Sequence, residues 1–387
     1  MRSSLCARAR DRPGAKRPGR RDHALGARLA DWFEKHHRDL PWRKTADPYA
    51  IWVSEVMLQQ TRVATVLGYY PRFLRDYPTV AHLARAPLCR VLASWSGLGY
   101  YQRARALHRG AREVVARYGG RLPSAAATLR DISGIGPYTA GAIASIAFGE
   151  REPAVDGNVA RVLARIRGVD KDVRAADGSR EIWRIASELV PEREPGRHNE
   201  ALMELGATVC VPADPRCGVC PARSFCRARA RGLQHELPVA RRKKPPRETA
   251  VVALVSRRRG RTLLGRRRDT GLFGGLWEPP MAELGDRRSR QEALAELLGL
   301  RRLELSVVAE QTHLLTHRKL RITVVCAVLD HRDLGAPKDP YVELAWLDDA
   351  ELGVVGLSTL ARKVLAAAGP SRRPLVGVGR CASGGVP

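Results

Sequence analysis

Residues 129–143 read Leu-Arg-Asp-Ile-Ser-Gly-Ile-Gly-Pro-Tyr-Thr-Ala-Gly-Ala-Ile, a Gly-x-Gly turn set between two segments of helical pattern. Pro137 stands where a helix can begin, since its missing N–H would lack an intrahelical partner there anyway. With Gly134 and Gly136 just before it, a phosphate can approach bare backbone N–H groups at a helix N-terminus. A lone Gly-x-Gly is equally an ordinary turn between packed helices, so its surroundings decide what it means. Outward from it, apolar residues recur at three- and four-residue spacing from Leu25 to about Arg231: Leu29, Trp32 and Phe33, then Val53, Val56 and Met57, then Tyr101 through Val115. Pro41, Pro78, Pro87, Pro123 and Pro153 fall between these stretches as helix breakers. An all-α domain is expected.

The chain has 387 residues, enough for two or three domains with their own cores. Lysine and arginine number 67 against 40 acidic residues, a net charge of +27 that points to a polyanionic partner. A GC-rich genome would account for arginine outnumbering lysine, but not for the excess of cations. On so basic a chain the turn at 134–136 reads as a helix-hairpin-helix, which grips a DNA backbone without reading its sequence. The longest charge-free run, Ile132 to Gly149, is broken by Pro137 and several glycines, so neither a membrane span nor a membrane partner is expected. Residues 1–24 form a basic arm, expected to be disordered, that lacks the apolar stretch of a secretory signal; its proline and glycine content and few serines weigh against a mitochondrial transit peptide.

Cys210, Cys217, Cys220 and Cys226 form C-x6-C-x2-C-x5-C in a proline-rich loop after a helix. Four thiols this close hold a metal more readily than disulfides, which implies a reducing, cytoplasmic setting. The spacing alone leaves zinc and an iron–sulfur cluster open. The loop would also present Arg216, Arg223 and Arg227 to phosphates, whereas Cys89 and Cys326 have no ligand spacing. From Arg223 to Arg247 nine basic residues stand against Glu236, so residues 227–248 read as a basic linker. After it the pattern turns to strands at Thr249–Ser256, Arg261–Arg266, Ile322–Leu329 and Val342–Leu347, with helices near Ser289–Leu298 and Ser358–Ala368. An α+β domain over 249–368 follows, then a Gly/Pro/Arg-rich tail, 369–387, expected to be disordered.

Two carboxylates stand out. On a helix, the neighbours of Glu55 at i±3 and i±4 are Ile51, Trp52, Leu58 and Gln59; a carboxyl against such a surface would have a raised pKa suited to a general acid. Periodicity alone favours the other reading, a glutamate on the solvent face. Asp156 precedes a helix, and by sequence alone it reads as an N-cap.

Leu40-Pro-Trp42, Ser54-Glu-Val-Met-Leu-Gln-Gln-Thr61, Gly97-Leu-Gly-Tyr-Tyr101, the hairpin, Val155-Asp-Gly-Asn-Val159 and the cysteine loop, in this order, closely resemble the endonuclease III superfamily of helix-hairpin-helix DNA glycosylases, and within it the adenine-excising MutY family. The resemblance covers about Leu25 to Cys226. It implies a 4Fe-4S cluster on the four cysteines, a catalytic acid at Glu55 and a mechanistic aspartate at Asp156. The implied reaction is hydrolysis of the N-glycosidic bond of adenine mispaired with 8-oxoguanine or guanine in duplex DNA. Glu55 would protonate N7 of the extruded adenine, Asp156 would stabilise or capture the oxocarbenium-like sugar, and Tyr138 and Asn158 would position that site. Arg38, Leu40, Trp42, Arg43 and Glu200 match positions lining the adenine pocket; Gln60 and Tyr100 match residues that wedge into the base stack.

An endonuclease III-type lyase for oxidised pyrimidines is the nearest alternative. Such lyases carry lysine where this chain has Tyr138, and Asp-Thr-His where it has Asp156-Gly-Asn158. A non-catalytic iron–sulfur DNA-binding protein would have no use for both Glu55 and Asp156. The C-terminal domain resembles the degenerate Nudix-like module of the same family. Aligned on Gly299, the pattern R-E-U-x-E-E-x-G-U retains only Glu296 among its acids, so pyrophosphate hydrolysis is not expected. His313-Leu-Leu-Thr-His317 matches the loop that senses 8-oxoguanine, with Thr316 where serine is common and Leu315 where phenylalanine is; Thr316 and His317 would contact the lesion. A monomer is expected.

Overall fold

A computed structural model describes residues 19–239, 245–285, 288–330 and 334–369. In chain order its helices are α1 (Arg20–His36), α2 (Pro48–Leu58), α3 (Val63–Asp76), α4 (Val80–Arg85), α5 (Leu88–Ser94), α6 (Gln102–Tyr118), α7 (Ala126–Leu129), α8 (Pro137–Phe148), α9 (Gly157–Arg167), α10 (Ala176–Leu189), α11 (Pro195–Thr208), α12 (Arg227–Ala230), α13 (Arg290–Leu298), α14 (Asp349–Val354) and α15 (Thr359–Ala367). Its strands are β1 (Arg247–Val255), β2 (Arg257–Arg258), β3 (Arg261–Arg267), β4 (Trp277–Glu278), β5 (Met281–Glu283), β6 (Ser306–Leu314), β7 (Arg318–Cys326) and β8 (Tyr341–Leu347). Two units separate: one takes the chain to Ala86 and resumes at Gln102, and the other combines Pro87–Tyr101 with the residues after the basic segment. No helix among the described residues is long and apolar enough to cross a membrane.

The first unit is helical because its stripes of apolar residues close on one another. Val159, Val162, Leu163 and Ile166 of α9 pack with Leu25, Leu29 and Phe33 of α1, Ile182, Ile185 and Leu189 of α10, and Leu202 and Leu205 of α11. Helix α2 has no polar face at all, since every residue from Tyr49 to Met57 is buried. That is why periodicity could not place Glu55: a helix enclosed on all sides carries no amphipathic signal. The hairpin joins α7 to α8, with Pro137 at the start of α8. Gly134 has φ +83°, and a Cβ there would lie 2.8 Å from Cβ of Ala106, so the turn admits only glycine.

Three expected boundaries move. Helix α1 begins at Arg20, and Asp22 in its first turn takes a hydrogen bond from Arg167 (2.5 Å), so residues 20–24 are not part of a disordered arm; 1–18 lie outside the described residues. Residues 227–239 belong to the first unit rather than to a linker. Cys226 Sγ caps α12 by accepting from Arg229 N, and the buried Leu237 accepts from Arg165 Nε at 2.8 Å. The basic residues that suggested disorder are anchored by their neighbours, while 240–244 and the tail beyond 369 lie outside the described residues. Finally, residues 87–101 leave the expected 25–226 domain. Ser96 Oγ and the Tyr101 hydroxyl both donate to Leu357 O, at 2.7 and 2.8 Å, and Arg362 donates to Ser96 Oγ at 2.9 Å.

The second unit holds two four-stranded sheets. The first has the order β5-β1-β7-β6 with β1 and β7 parallel; in the second, β3 pairs β2, β4 and β8. Val252 and Leu254 of β1 pack with Leu294 and Leu298 of α13, while Val251, Ala253 and Val255 pack with Leu360 and Val364 of α15. Both faces of β1 are therefore covered, which accounts for its unbroken apolar run. Strand β6 escaped the sequence reading because, as an edge strand, it is exposed along much of its length.

Candidate active site

A cavity of about 860 Å³ in the first unit gathers Arg38, Leu40, Trp42, Arg43, Glu55, Gln60, Gly134, Gly136, Tyr138, Asp156, Asn158 and Glu200. Glu55 arrives on α2, which Asp47 starts by accepting from Tyr49 N, with Pro48 following. It is 5% exposed, so the solvent-face alternative is excluded. Burial pushes its carboxyl up to about 7, aided by Asp156 and Glu200 and opposed by the Tyr138 hydrogen bond and Arg43. The Tyr138 hydroxyl donates to Glu55 Oε2 and lies 3.5 Å from Met203 Sδ.

Asp156 fulfils both of its readings. It is the N-cap of α9, Oδ1 accepting from Val159 N at 2.7 Å, and it faces the cavity beside Asn158, whose Nδ2 donates to Oδ2 at 3.0 Å. Burial raises its pKa; the backbone bond from Val159 and the amide of Asn158 resist that rise by favouring the ionised form. Gly206 of α11 packs so closely that a Cβ there would sit 2.6 Å from Cβ of Asn158. Arg161 ties this corner to the cysteine loop, donating to Asn158 Oδ1 at 2.9 Å, to Gly206 O at 2.8 Å and to Cys210 O at 2.8 Å.

The opposite wall is organised by a residue the sequence reading missed. The Glu204 side chain is fully buried and takes hydrogen bonds from Arg38 N, Nε and Nη2 (3.1, 2.8 and 2.8 Å) and from Arg43 Nη2 (2.9 Å). Burial alone would raise its carboxyl, yet the bonds from Arg38 and Arg43 hold it at about 2. Its signal was faint: it lies one helical turn beyond Glu200, whose Oε1 is 3.5 Å from Arg43 Nε. Trp42 is buried with Tyr70 edge-on at 5.5 Å, giving the pocket a rigid aromatic side.

Gln60 and Tyr100 both hold left-handed backbones, with φ +57° and +48°. Few non-glycine residues do so, because each costs of order 1 kcal/mol. Tyr100 does not line the cavity. It sits in the second unit with its hydroxyl 3.5 Å from Thr316 Oγ1, at the hairpin between β6 and β7. There Leu315 packs into the apolar cluster of β1, β7 and α15, leaving Thr316 and His317 exposed.

The cysteine loop surrounds a separate cavity lined by Cys210, Cys217, Cys220 and Cys226 together with Val162, Ile166 and Leu205. Among the described residues no three Cys, His, Asp or Glu side chains converge on one ion position. Four thiols facing one cavity are a donor set that either zinc or an iron–sulfur cluster can use. N–H donors already aim at sulfur: Arg165 Nη1 lies 3.4 Å from Cys210 Sγ, and Arg229 N 3.5 Å from Cys226 Sγ.

The helical region matches the model of the HhH-GPD superfamily base excision DNA repair protein over residues 53–192, and the second unit matches the NUDIX domain model over residues 251–367. Human adenine DNA glycosylase is 38% identical over 401 residues, spanning 88% of this chain and 73% of the human one. The rat adenine DNA glycosylase is 38% identical over 399 residues, spanning 88% of this chain and 77% of its own. A solved thermostable thymine-DNA glycosylase superposes with a TM-score of 0.51 at 29% identity, over 54% of this chain and 97% of that one. With a buried carboxyl acid and a capped aspartate sharing one cavity, and with relatives aligned along most of its length, the chain belongs to the adenine DNA glycosylase family of base-excision repair enzymes.

Proposed function

We propose that this chain excises adenine paired with 8-oxoguanine, or with guanine, by hydrolysing the N-glycosidic bond of the extruded nucleotide. The observation that carries this reading is Glu55, a carboxyl buried in the cavity wall with its pKa lifted to about 7, so that a large share of it is protonated at neutral pH. Glu55 gives its proton to N7 of adenine as the bond from C1′ to N9 breaks, and the base leaves as neutral adenine. Positive charge then develops on the sugar. Asp156, which accepts hydrogen bonds from Val159 N and Asn158 Nδ2, faces that charge until water adds at C1′. Arg38, Arg43, Glu200, Leu40 and Trp42 shape the base pocket, Gly134 and Gly136 admit the phosphate backbone, and Gln60 stands at the cavity as a wedge. Tyr100 is the second residue assigned to wedge into the base stack. Thr316 and His317 contact the 8-oxoguanine left behind.

Cys210, Cys217, Cys220 and Cys226 would hold a 4Fe-4S cluster. When bound, that group staples the loop between α11 and α12. The cavity's apolar walls and the donors aimed at sulfur fit it.

The test is a duplex with one adenine opposite 8-oxoguanine, incubated with the enzyme and then treated with alkali. Strand breakage at the adenine should require the alkali, since Tyr138 offers no amine for a Schiff base. Release of an oxidised pyrimidine with spontaneous breakage, or no alkali-labile site at all, would overturn the proposal.

A further inference from the structure

Helix α2 ends without a glycine cap. Its C-cap residue, Gln59, has φ −57° and ψ 114°, and the next residue is the left-handed Gln60 at the cavity wall. The carbonyls of a last helical turn need partners from elsewhere. Here one guanidinium supplies two of them, those of Val56 and Met57, while Thr61 N donates to Leu58 O at 3.3 Å. Arg103, in the first turn of α6, places Nη1 2.8 Å from the carbonyl oxygens of Val56 and Met57 and 2.5 Å from that of Gln59, while Nη2 donates to Thr61 Oγ1 at 3.0 Å. Its cation also meets the negative end of the α2 dipole. Gln60 is thus bracketed: the carbonyl before it and the hydroxyl after it are bound to the same planar group. Gln59 and Gln60 are the corners of a turn of type II form, closed by Thr61 N donating to Leu58 O at 3.3 Å; its third residue must take a positive φ and is usually glycine, so a glutamine there carries strain that the surroundings have to hold.

We propose that Arg103 is a positioning residue that holds Gln60 in its left-handed conformation, ready to enter the base stack, and so sets the rate at which adenine is extruded rather than the rate of bond cleavage. The inference rests on the proposed role of Gln60 as a wedge. Arg103 also follows Tyr100, the second left-handed wedge residue, by three positions. Lysine at 103 would keep the charge but not the fork, and a single ammonium cannot span from the Val56 carbonyl to the Thr61 hydroxyl.

The experiment compares Arg103→Lys, Gln60→Ala and the double variant in single-turnover excision on two duplexes. In one the adenine is paired with 8-oxoguanine; in the other it lies in an unpaired bulge and needs no displacement. Arg103→Lys should slow the paired duplex about tenfold, change the bulged one by less than about twofold, and add little to Gln60→Ala. A 2-aminopurine beside the adenine should report the slower extrusion directly. Should Arg103→Lys fail to fold, Thr61→Val removes one arm of the bracket with Arg103 in place, and it should give the same contrast between duplexes with smaller amplitude. Equal slowing on both duplexes, or effects of Arg103→Lys and Gln60→Ala that multiply, would overturn the proposal. Gln60→Ala without effect on the paired duplex would instead remove the wedge assignment, and this inference with it.

Discussion

Replacing Glu55 with glutamine keeps the side chain's shape, removes its charge, and should alter stability and excision in opposite senses. Burial lifts the carboxyl from an ordinary value of 4.5 to about 7, so folding favours the protonated form. The stability contributed by protonated Glu55 is complete below about pH 4.5 and is lost as pH rises through about 7. Above that, the ionised, buried carboxylate costs about 3 kcal/mol. Glutamine has no charge to desolvate and can accept the Tyr138 hydrogen bond through its own Oε1. Glu55→Gln should therefore match the parent protein near pH 4.5 and exceed it by up to about 3 kcal/mol at pH 8. Urea unfolding at both pH values, followed by far-ultraviolet circular dichroism, measures this, because the helical signal comes mainly from the first unit. The same variant should bind duplex and fail to excise adenine, and excision by the parent protein should fall about tenfold per pH unit above about 7 as the acid deprotonates. A stability difference that stays flat with pH, or binding lost together with excision, would refute the reasoning and make Glu55 an ionised structural group.

Three further outcomes can be measured. Protein purified without added metal should be brown with broad absorbance near 400 nm, roughly as thiolate-ligated iron–sulfur sites absorb, and Cys217→Ser should bleach it and weaken duplex binding; active, colourless protein with one zinc would contradict the assignment. Glu204→Gln should lower stability by about 2 kcal/mol at pH 7 by leaving Arg38 and Arg43 without their shared carboxylate. Because the Glu204 pKa is depressed to about 2, that loss should be constant above about pH 4.5 and shrink as pH falls through 2, which acid titration of both proteins would reveal. Thr316→Ala should reduce the preference for adenine opposite 8-oxoguanine over adenine opposite guanine five- to a hundredfold, the worth of about 1–3 kcal/mol for one hydrogen bond to the lesion, as a competition assay would show. The point substitution is the cleaner test than truncation at Arg247, since Ser96 and Tyr101 depend on Leu357.

What could be read from the sequence was what local spacing encodes. The hairpin glycines, the Pro137 helix start, the Asp156 cap and the clustering of four cysteines all act within a few residues, so their meaning survives in a linear string. Glu55 shows where that ends. Its role follows from being enclosed on every side of α2, and periodicity detects a helix with two faces, not one with none. Glu204 and Arg103 were missed for a related reason, since their partners lie 161 or more and 42 or more residues away and nothing near them in the chain marks the pairing. The shift of residues 87–101 into the second unit rests on partners more than 200 residues downstream, among them the Leu357 carbonyl and Arg362 for Ser96, the Leu357 carbonyl for Tyr101 and Thr316 for Tyr100. The linker reading failed at 227–239 for the converse reason. Charge density argues for disorder only when no anchor is present, and here Cys226, Arg165 and the buried Leu237 supply one.

These residues divide into two kinds by energy. Those proposed to act are held in states that cost stability: Glu55 buried with its charge suppressed, and Gln60 in a left-handed backbone. Those around them are each tied to several partners: Glu204 to two arginines, Arg161 to three acceptors, Arg103 to four. Strain persists only where the surroundings over-determine it, so the second set is what makes the first set possible. Substituting a member of the first set should then remove function and leave stability unchanged or improved, as for Glu55→Gln. Substituting a member of the second should lower stability and function together, but selectively in function. Loss of Glu204 should fall on the base pocket, loss of Arg161 on the Asp156 corner, and loss of Arg103 on extrusion, because each grips a different wall of the same cavity.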